Sequence, residues 1–323
     1  MTVSVSVPAT ASNLGGGFDC VGVAVHRRLR VTVGASAGGP AVSLERSGTL
    51  SALDVAPEQD LIVAGFRAMC ARLARAAPEH LFFAADSDIP VGRGLGSSAA
   101  AIVAGALAAA AWQGDAVDAA GIISLGTELE GHPDNVAPAV LGGAVLAVVR
   151  ADGDVSTAPV EVHESLRFAF AVPGFTVDTH RARAALPDSL PHASGRAAAA
   201  AAAALVLGLA RADAGLLALG LEGPLHVPYR RPLVPWYDDV VGAARSAGAF
   251  GATLSGSGSS IVAVAAAGQA DRVAAAMAAA WGARGVHADT LVSEPSSLGA
   301  AVSVLDRNAA PLPARSSTVE ISS

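Results

Sequence analysis

The segment Pro90–Ala100, with the sequence PVGRGLGSSAA, constrains the fold of this chain most. The apolar run Leu81–Ala85 before it predicts a buried strand, and the small-residue run Ala99–Trp112 after it predicts a helix. A strand, a glycine-rich turn and a helix in this order bring backbone N–H groups and the positive end of a helix dipole to one point. The sequence therefore predicts a phosphate cradle here. A plain glycine turn with a helix N-cap is the alternative that these residues leave open.

The other apolar patterns indicate an α+β chain. Alternating valines predict a strand over Val3–Val7 that Pro8 ends, and apolar residues three and four apart predict a helix over Leu61–Ala76. Further strands are predicted at Ala144–Val149, Phe168–Val172, Ala252–Leu254, Ile261–Ala265 and Val286–Val292, and further helices at Ala116–Glu130, Ser194–Ala210, Trp236–Ala247 and Ala270–Ala283. The eight-alanine run Ala197–Ala204 is typical of a tightly packed or simply high-propensity helix.

A length of 323 residues favours two domains. Residues 150–165 are polar and show no strand pattern, so we expect the boundary there. The predicted division is 1–155, 156–306 and a polar tail at 307–323.

Charge and composition exclude several classes of protein. All 21 basic residues are arginine, which removes lysine-dependent sites such as the usual P-loop or a pyridoxal-phosphate Schiff base. The net charge of −7 argues against a nucleic-acid partner. Two cysteines are too few for a disulfide framework, and the apolar stretches are shorter than the about 20 residues of a membrane span. We expect a cytoplasmic protein with no membrane association.

Two more glycine-rich polar loops occur, at Asn13–Asp19 and Ser255–Ser260. Three such loops in one chain suggest one polyanionic ligand held from several sides. Taken alone, Ser255–Ser260 is equally well explained as a hairpin turn.

A cluster of polar residues follows the helix that ends at Glu130. A carboxylate at a helix C-terminus opposes the helix dipole, which argues for a role beyond that of a solvated charge. Glu130 and the hydroxyl of Ser98 form the hard-oxygen set that Mg²⁺ prefers, whereas no His pair at helical spacing supports a transition metal. His132 alone is more typical of a hydrogen-bonding loop residue.

These motifs resemble, in order and spacing, those of the GHMP small-molecule kinases. Within that superfamily Pro8–Gly22, Glu130–Gly143 and Gly251–Gly258 resemble the homoserine kinases in particular, and the likeness covers residues 3–300. It implies an α+β fold with an N-terminal ribosomal-protein-like domain that carries ATP and Mg²⁺ and a ferredoxin-like C-terminal domain that closes the site. It also implies a homodimer and phosphorylation of the side-chain hydroxyl of L-homoserine, a step of threonine biosynthesis.

The same resemblance implies roles for individual residues. The nucleotide site would comprise Pro90, Val91, Gly92, Arg93, Gly94, Leu95, Gly96, Ser97, Ser98, Ala99 and Ala100. Magnesium would be held by Ser98 and Glu130, which with Asn135 form the catalytic set. The acceptor would meet Asn13, Asp19, Asp134, Asn135, Thr179, Arg183, Arg230 and Gly256.

The resemblance also implies a mechanism without a strong general base. Asn135 would orient the acceptor hydroxyl, Asp19 would bind its ammonium group, and Arg183 and Arg230 would grip its carboxylate. An isoprenoid alcohol as the acceptor is disfavoured because it has no carboxylate for the paired arginines to bind. A nucleotide sensor without turnover is disfavoured because both Ser98 and Glu130 are present. A GHMP kinase with a different small hydroxylated acceptor remains the alternative, because Gly16, Arg93, Ser257–Ser260 and residues 187–216 depart from the family pattern.

Overall fold

The computed structural model describes residues 1–35, 38–116 and 118–305. The strands are β1 (Thr2–Ser12), β2 (Val21–Ala35), β3 (Val42–Gly48), β4 (Leu81–Ser87), β5 (Ala144–Val149), β6 (Val155–Val160), β7 (Leu166–Pro173), β8 (Gly251–Leu254), β9 (Ile261–Ala266), β10 (Ala288–Ser293) and β11 (Ala301–Leu305). The helices are α1 (Leu61–Arg72), α2 (Ser97–Gln113), α3 (Ala119–Glu130), α4 (Val136–Leu141), α5 (Thr179–Ala184), α6 (His192–Arg211), α7 (Ala214–Gly220), α8 (Val227–Arg230), α9 (Tyr237–Ser246) and α10 (Ala270–Gly282).

The first sheet has the order β11-β1-β2-β4-β3, and β5 pairs with β2 and β6. The alternation over Val3–Val7 is confirmed, since these three valines are buried. Helix α2 packs against β1 and β2 with α1 and α3 beside it, and its alanines are buried on several faces. Small side chains let the helix lie close to its neighbours, so the loop that precedes it is fixed by a packed core.

Strand β1 continues past Pro8, contrary to the sequence prediction. The pairing with β2 shifts register between Pro8 and Ala9. A proline lacks an N–H group, and a bulge is one place where a strand tolerates it. The continuation carries Thr10 and Ser12 to the position where the glycine-rich loops meet.

The second sheet is antiparallel, with the order β10-β7-β9-β8. Helix α10 packs on β7, β9 and β10, and α9 packs beside it. The helices and this sheet enclose a second core, in which Trp281 and Met277 are fully buried. The architecture is the expected α+β arrangement of two sheets, each with its own helices.

Two strands differ from the predicted division of the chain. The segment expected to lack strands contains β6, and β11 pairs with β1, so both belong to the first sheet. Strand β6 is mostly exposed and therefore shows no apolar alternation. The domain boundary between residues 155 and 156 stays a prediction, and the pairing of β6 with β5 favours a boundary after β6. The predicted tail 307–323 lies outside the described residues.

Helix α6 carries the alanine run and extends beyond the predicted helix, over 20 residues. By length and composition alone it could cross a membrane. In the fold, Ala198, Ala201 and Ala204 are buried, and Gly16 lies against the backbone of Ala201. The run thus supplies a flat surface on which the Asn13–Asp19 loop rests.

Candidate active site

The structure brings the three glycine-rich loops together around the end of β1, which leads into the first of them. The amide of Thr10 donates to the carbonyl of Leu95 at 3.1 Å, and the amide of Gly256 donates to the carbonyl of Ser12 at 2.8 Å. The hydroxyl of Ser255 donates to the carbonyl of Gly94 at 2.6 Å. Ser255–Ser260 also connects β8 to β9, so it is both a hairpin turn and a wall of the site.

Two glycines of the Pro90–Ala100 loop make this contact possible. Gly94 and Gly96 have φ values of +72° and +69°, in the left-handed region that other residues rarely adopt. A Cβ atom on Gly94 would lie 2.0 Å from the carbonyl oxygen of Ser255, and one on Gly96 would lie 2.0 Å from Oγ1 of Thr10. The backbone of this loop is therefore held against the Ser255–Ser260 loop and against the end of β1.

A cleft of ~60 Å³ lies where the loops meet, and it collects most of the predicted site residues. It is lined by Asn13, Gly92, Gly94, Gly96, Ser97, Ser98, Glu130, His132, Asn135, Thr179, Arg183, Arg230, Gly256 and Ser257. Ser97 and Ser98 open helix α2, so the cleft faces the positive end of its dipole. The arrangement is suited to a phosphate group.

Other residues of the predicted nucleotide segment serve the scaffold. Leu95, Ala99 and Ala100 are buried in the first core. The guanidinium of Arg93 donates to the carbonyls of Pro173 and Gly174 at 2.9 and 2.7 Å, which ties the loop to the end of β7. Pro90 is half-buried where the chain enters the loop.

Ser98 and Glu130 are brought together from helices α2 and α3. The hydroxyl of Ser98 donates to Oε1 of Glu130 at 2.5 Å, and both residues line the cleft. Among the described residues there is no group of three or more His, Cys, Asp or Glu side chains placed to hold a metal. One hydroxyl and one carboxylate fit Mg²⁺, which keeps water and phosphate oxygens as its other ligands.

Asn135 is fixed by two hydroxyl groups of β1. Its Oδ1 accepts from Thr10 Oγ1 at 2.9 Å, and its Nδ2 donates to Ser12 Oγ at 2.9 Å. Thr10 and Ser12 are fully buried, so these bonds form away from water. They hold the amide in place, and the second N–H of Nδ2 is left for a ligand.

The two predicted arginines differ in environment. Arg183 lies on α5 and forms two hydrogen bonds of 3.0 Å with the carboxylate of Asp19. Arg230 is 1% exposed, and its Nη1 atom has no hydrogen-bond partner within the described residues. Burial lowers the pKa of Arg230 to about 10, while Asp19 raises it, so the group stays charged at neutral pH.

An aromatic layer supports Arg230. The guanidinium lies 5.0 Å from the ring centroid of Phe18, and His226 stacks on Phe18 at 5.0 Å. Nε2 of His226 lies 3.2 Å from the carbonyl oxygen of Gly15 and, when protonated, donates a hydrogen bond to it. Cation–π contact compensates part of the cost of burying this charge.

Asp134 does not line the cleft, whereas His132, two positions before it, does. Its side chain is fully buried, and Oδ1 lies 2.7 Å from Nδ1 of His132, which does line the cleft. Burial opposes a charge on His132, but the hydrogen bond and charge of Asp134, followed by Glu130 and Asp19, raise its pKa above the ordinary value. The His-x-Asp spacing in this loop is the sequence signal that could have identified His132 as a residue of the cleft.

The remaining predicted acceptor residues close the cleft. Oδ1 of Asn13 accepts from the amide of Asp19 at 2.9 Å and so shapes the first loop. Thr179, at the start of α5, has its Oγ1 atom 3.2 Å from Oγ of Ser257. Segments from both halves of the chain thus meet at the cleft.

An apolar cavity of ~330 Å³, which the sequence analysis missed, adjoins the cleft. It shares Gly92, Ser97, Ser98 and Thr179 with the cleft. Its apolar wall is formed by Leu29, Leu50, Leu53, Val55, Leu61, Ile62, Ile89, Val91 and Ala101. Leu50, Leu53 and Val55 lie in an irregular segment without periodicity, so only their apolar character in a loop could have marked them.

Comparisons with known proteins agree with this architecture. The family model described as GHMP kinases N terminal domain matches residues 60–143, and that described as GHMP kinases C terminal matches residues 200–283. The homoserine kinase of Picosynechococcus sp. is 38% identical over 309 residues, which cover 93% of this chain and 99% of the relative. That of Gloeobacter violaceus is 39% identical over 287 residues, covering 86% and 92%.

A comparison with solved structures also finds a homoserine kinase. The homoserine kinase from Cytophaga hutchinsonii superposes with a TM-score of 0.82 at 29% identity, and the match covers 93% of this chain and 97% of that structure. Family models, full-length relatives and fold agree. The chain therefore belongs to the homoserine kinase family of the GHMP kinases.

Proposed function

We infer that this protein is a homoserine kinase, which transfers the terminal phosphoryl group of ATP to the side-chain hydroxyl of L-homoserine and yields O-phospho-L-homoserine for threonine biosynthesis. The observation that carries this inference is the placement of a phosphate cradle beside paired groups of opposite charge. Asp19 offers a carboxylate and Arg230 a buried, incompletely bonded guanidinium, which suit the two charges of an α-amino acid. Relatives of nearly the same length bearing this name support it.

The nucleotide would occupy the apolar cavity and the cradle. The cavity suits an adenine ring and sugar, since nucleotide bases are held mainly by apolar contact. From there the triphosphate would run along Gly92–Ser98 to the N-terminus of α2. The chain has no lysine, so backbone N–H groups and the helix dipole would provide most of the phosphate binding.

Magnesium would be held by Ser98 and Glu130. When bound, the ion would neutralise phosphate charge as it develops during transfer. The Ser98 hydroxyl donates to the Glu130 carboxylate, which keeps both oxygen ligands on the same side of the cleft.

Transfer would rely on positioning and electrostatics without a strong general base. The carboxylates near the acceptor position are already engaged: Asp19 with Arg183, Asp134 with His132 and Glu130 with Ser98. Asn135, fixed by Thr10 and Ser12, would direct its remaining N–H to the acceptor hydroxyl oxygen. Correct alignment and charge neutralisation supply most of the acceleration of phosphoryl transfer.

The first test is magnesium-dependent release of ADP with homoserine, beside threonine, serine, mevalonate and shikimate at equal concentration. We expect selective turnover of homoserine and a phosphate monoester on its side-chain oxygen, identified by phosphorus NMR. ADP release with another acceptor and none with homoserine would contradict the proposal and identify a GHMP kinase of different specificity.

We also propose that the protein is a cytoplasmic homodimer that uses no nucleic acid and no membrane. Both cysteines are free thiols, in keeping with a reducing compartment. Light scattering coupled to size-exclusion chromatography would give the mass in solution, and a monomer at micromolar concentration would contradict the dimer.

A further inference from the structure

Arg93 lies in the middle of the Pro90–Ala100 loop, but its side chain is directed to β7 and not into the cleft. Its neighbours Gly92 and Gly94 line the cleft, whereas Arg93 does not. The guanidinium donates from Nε to the carbonyl of Pro173 at 2.9 Å and from Nη2 to the carbonyl of Gly174 at 2.7 Å. It therefore binds two consecutive residues at the end of β7.

The segment that follows Gly174 leads directly into helix α5. Residues 175–178 are the whole link to Thr179, the first residue of α5. Thr179 and Arg183 of this helix both line the cleft. A link this short leaves α5 little freedom once Gly174 is fixed.

The link itself also lies against the loops of the site. The hydroxyl of Ser259 donates to the carbonyl of Phe175 at 2.6 Å. A Cβ atom on Gly92 would lie 3.2 Å from Cγ2 of Thr176. Arg93 adds hydrogen bonds from a charged donor, which are stronger than those between neutral groups.

A direct contact of Arg93 with phosphate is the alternative. The chain has no lysine, and no carboxylate of the described residues forms an ion pair with Arg93. However, each of the three guanidinium nitrogens already donates to a carbonyl, the third being Nη1 to Val91 at 3.3 Å. Movement onto a phosphate would leave the carbonyls at the end of β7 without these donors, which carries a cost.

We propose that Arg93 is a positioning residue, which fixes helix α5 and thereby the acceptor side of the cleft against the Pro90–Ala100 loop. The proposal rests on the proposed function, in which Thr179 and Arg183 face the acceptor. Without the contact, α5 would occupy the orientation that binds the acceptor only part of the time, and the apparent affinity for the acceptor would fall by that fraction. A residue of the nucleotide loop should therefore act mainly on the acceptor.

The test is the steady-state kinetics of Arg93→Met. We expect the KM for homoserine to rise about 10-fold, because methionine cannot donate to the two carbonyls, and the KM for ATP to stay unchanged. Arg93→Lys keeps the charge but replaces the planar guanidinium by a single ammonium group. The KM for homoserine should therefore stay raised in this variant, by about 3-fold or more.

Two further variants separate position from general stability. In Arg272, Nε and Nη2 donate to the carbonyl of Ala247 at 3.0 and 2.7 Å, so Arg272→Met removes the same kind of contact at the end of α9. This matched control should leave both KM values unchanged. Ser259→Ala weakens the hold on Phe175 without altering the Pro90–Ala100 loop, and it should raise the KM for homoserine about 3-fold.

Two outcomes would overturn the proposal. A raised KM for ATP with an unchanged KM for homoserine in Arg93→Met, restored in Arg93→Lys, would assign the charge of Arg93 to phosphate. Equal rises of both KM values in Arg93→Met would show that the loop itself is disturbed.

Failure of the proposed function has a separate signature, which is absence of turnover with homoserine in the unmodified enzyme. Hydrogen exchange measured by mass spectrometry tests the contact without any acceptor. Peptides that cover residues 175–184 should exchange about 10-fold faster in Arg93→Met than in the unmodified protein, and Arg272→Met should not change them. Unchanged exchange in Arg93→Met would overturn the proposal whatever the acceptor is.

Discussion

The nucleotide side and the acceptor side of the cleft are built from different parts of the chain. Gly94 and Gly96 shape the nucleotide side through their backbone, which is anchored to the first core by Leu95. The acceptor side consists of charged side chains, and Arg183 and Arg230 reach it from segments that follow β7. A phosphate presents the same oxygens in every substrate, so a fixed backbone suffices for it, whereas we propose that selection among acceptors depends on the charged side chains.

This difference predicts that variants divide into two kinds. Changes on the nucleotide side should lower turnover with any acceptor, and changes on the acceptor side should alter which acceptor is used. The four predictions below test this division, beginning with the largest expected effect.

Glu130→Gln should lower kcat about 1000-fold with every acceptor, because it removes the carboxylate that fits magnesium. Steady-state ADP release over a range of Mg²⁺ concentrations would measure it. Glu128→Gln is the control, since Glu128 lies on the same helix but pairs with Arg72 at the surface. A Glu130→Gln enzyme with unchanged kcat and unchanged Mg²⁺ dependence would remove Glu130 from the site.

Asn135→Ala should lower kcat about 100-fold and leave the KM for ATP unchanged, because we propose that the amide acts on the acceptor hydroxyl in the transition state. Thr10→Val should have a smaller effect of the same kind, about 10-fold, by freeing the amide to rotate. Thr10→Ser keeps the hydroxyl and should restore kcat. Equal losses in the Val and Ser variants would mean that packing at Thr10, and not its hydrogen bond, is what Asn135 requires.

Arg230→Met should raise the KM for homoserine about 30-fold and leave the KM for ATP unchanged. The same variant should raise the free energy of unfolding of the ligand-free protein by about 1 kcal/mol, because a buried charge with an unpaired donor is replaced by an apolar chain. Denaturant titration measures the second effect. Lower stability together with an unchanged KM would assign Arg230 to the scaffold.

His226 should have the smallest effect on turnover, and its contribution should be seen in the dependence of stability on pH. Burial, and then the charge of Arg230, lower the pKa of His226 from 6.5 to about 3. The unfolded chain binds this proton below pH 6.5 and the folded chain does not, so the stabilisation is complete above pH 6.5 and is lost as the pH falls towards 3.

His226→Gln should remove this part of the slope, at most about 1.4 kcal/mol per pH unit. Urea titrations between pH 7 and pH 4 would measure it, with His180→Gln at an exposed position as the control. Identical slopes in the unmodified protein and in His226→Gln would show that the ring protonates equally well in the folded state.

The sequence predicts the strand, the glycine-rich loop and the helix around Pro90–Ala100 well because the information for them is local. A strand, glycines at alternate positions and a small-residue helix follow one another in the chain, and each has a direct conformational meaning. Ser98 and Glu130, although distant in sequence, could be paired by chemistry because hydroxyl and carboxylate oxygens suit one ion.

The acceptor side was accessible only through family resemblance. Nothing around Arg183 distinguishes it from an exposed helix arginine, and it meets Asp19 only because α5 folds back over the first loop. The prediction that His132 is a hydrogen-bonding loop residue is confirmed by its bond to Asp134, whereas its position in the lining of the cleft was not predicted. Strands β6 and β11 were missed for a related reason, since short strands paired with distant or exposed neighbours show little periodicity of their own.

The pairing of β11 with β1 has a consequence for synthesis. Strand β1 is made first, yet its outer neighbour includes residues up to Leu305, so this edge stays open while nearly the whole chain emerges from the ribosome. An open strand edge can pair with other chains. A nascent or truncated chain that ends before β11 is thus the form of this protein most in need of a chaperone.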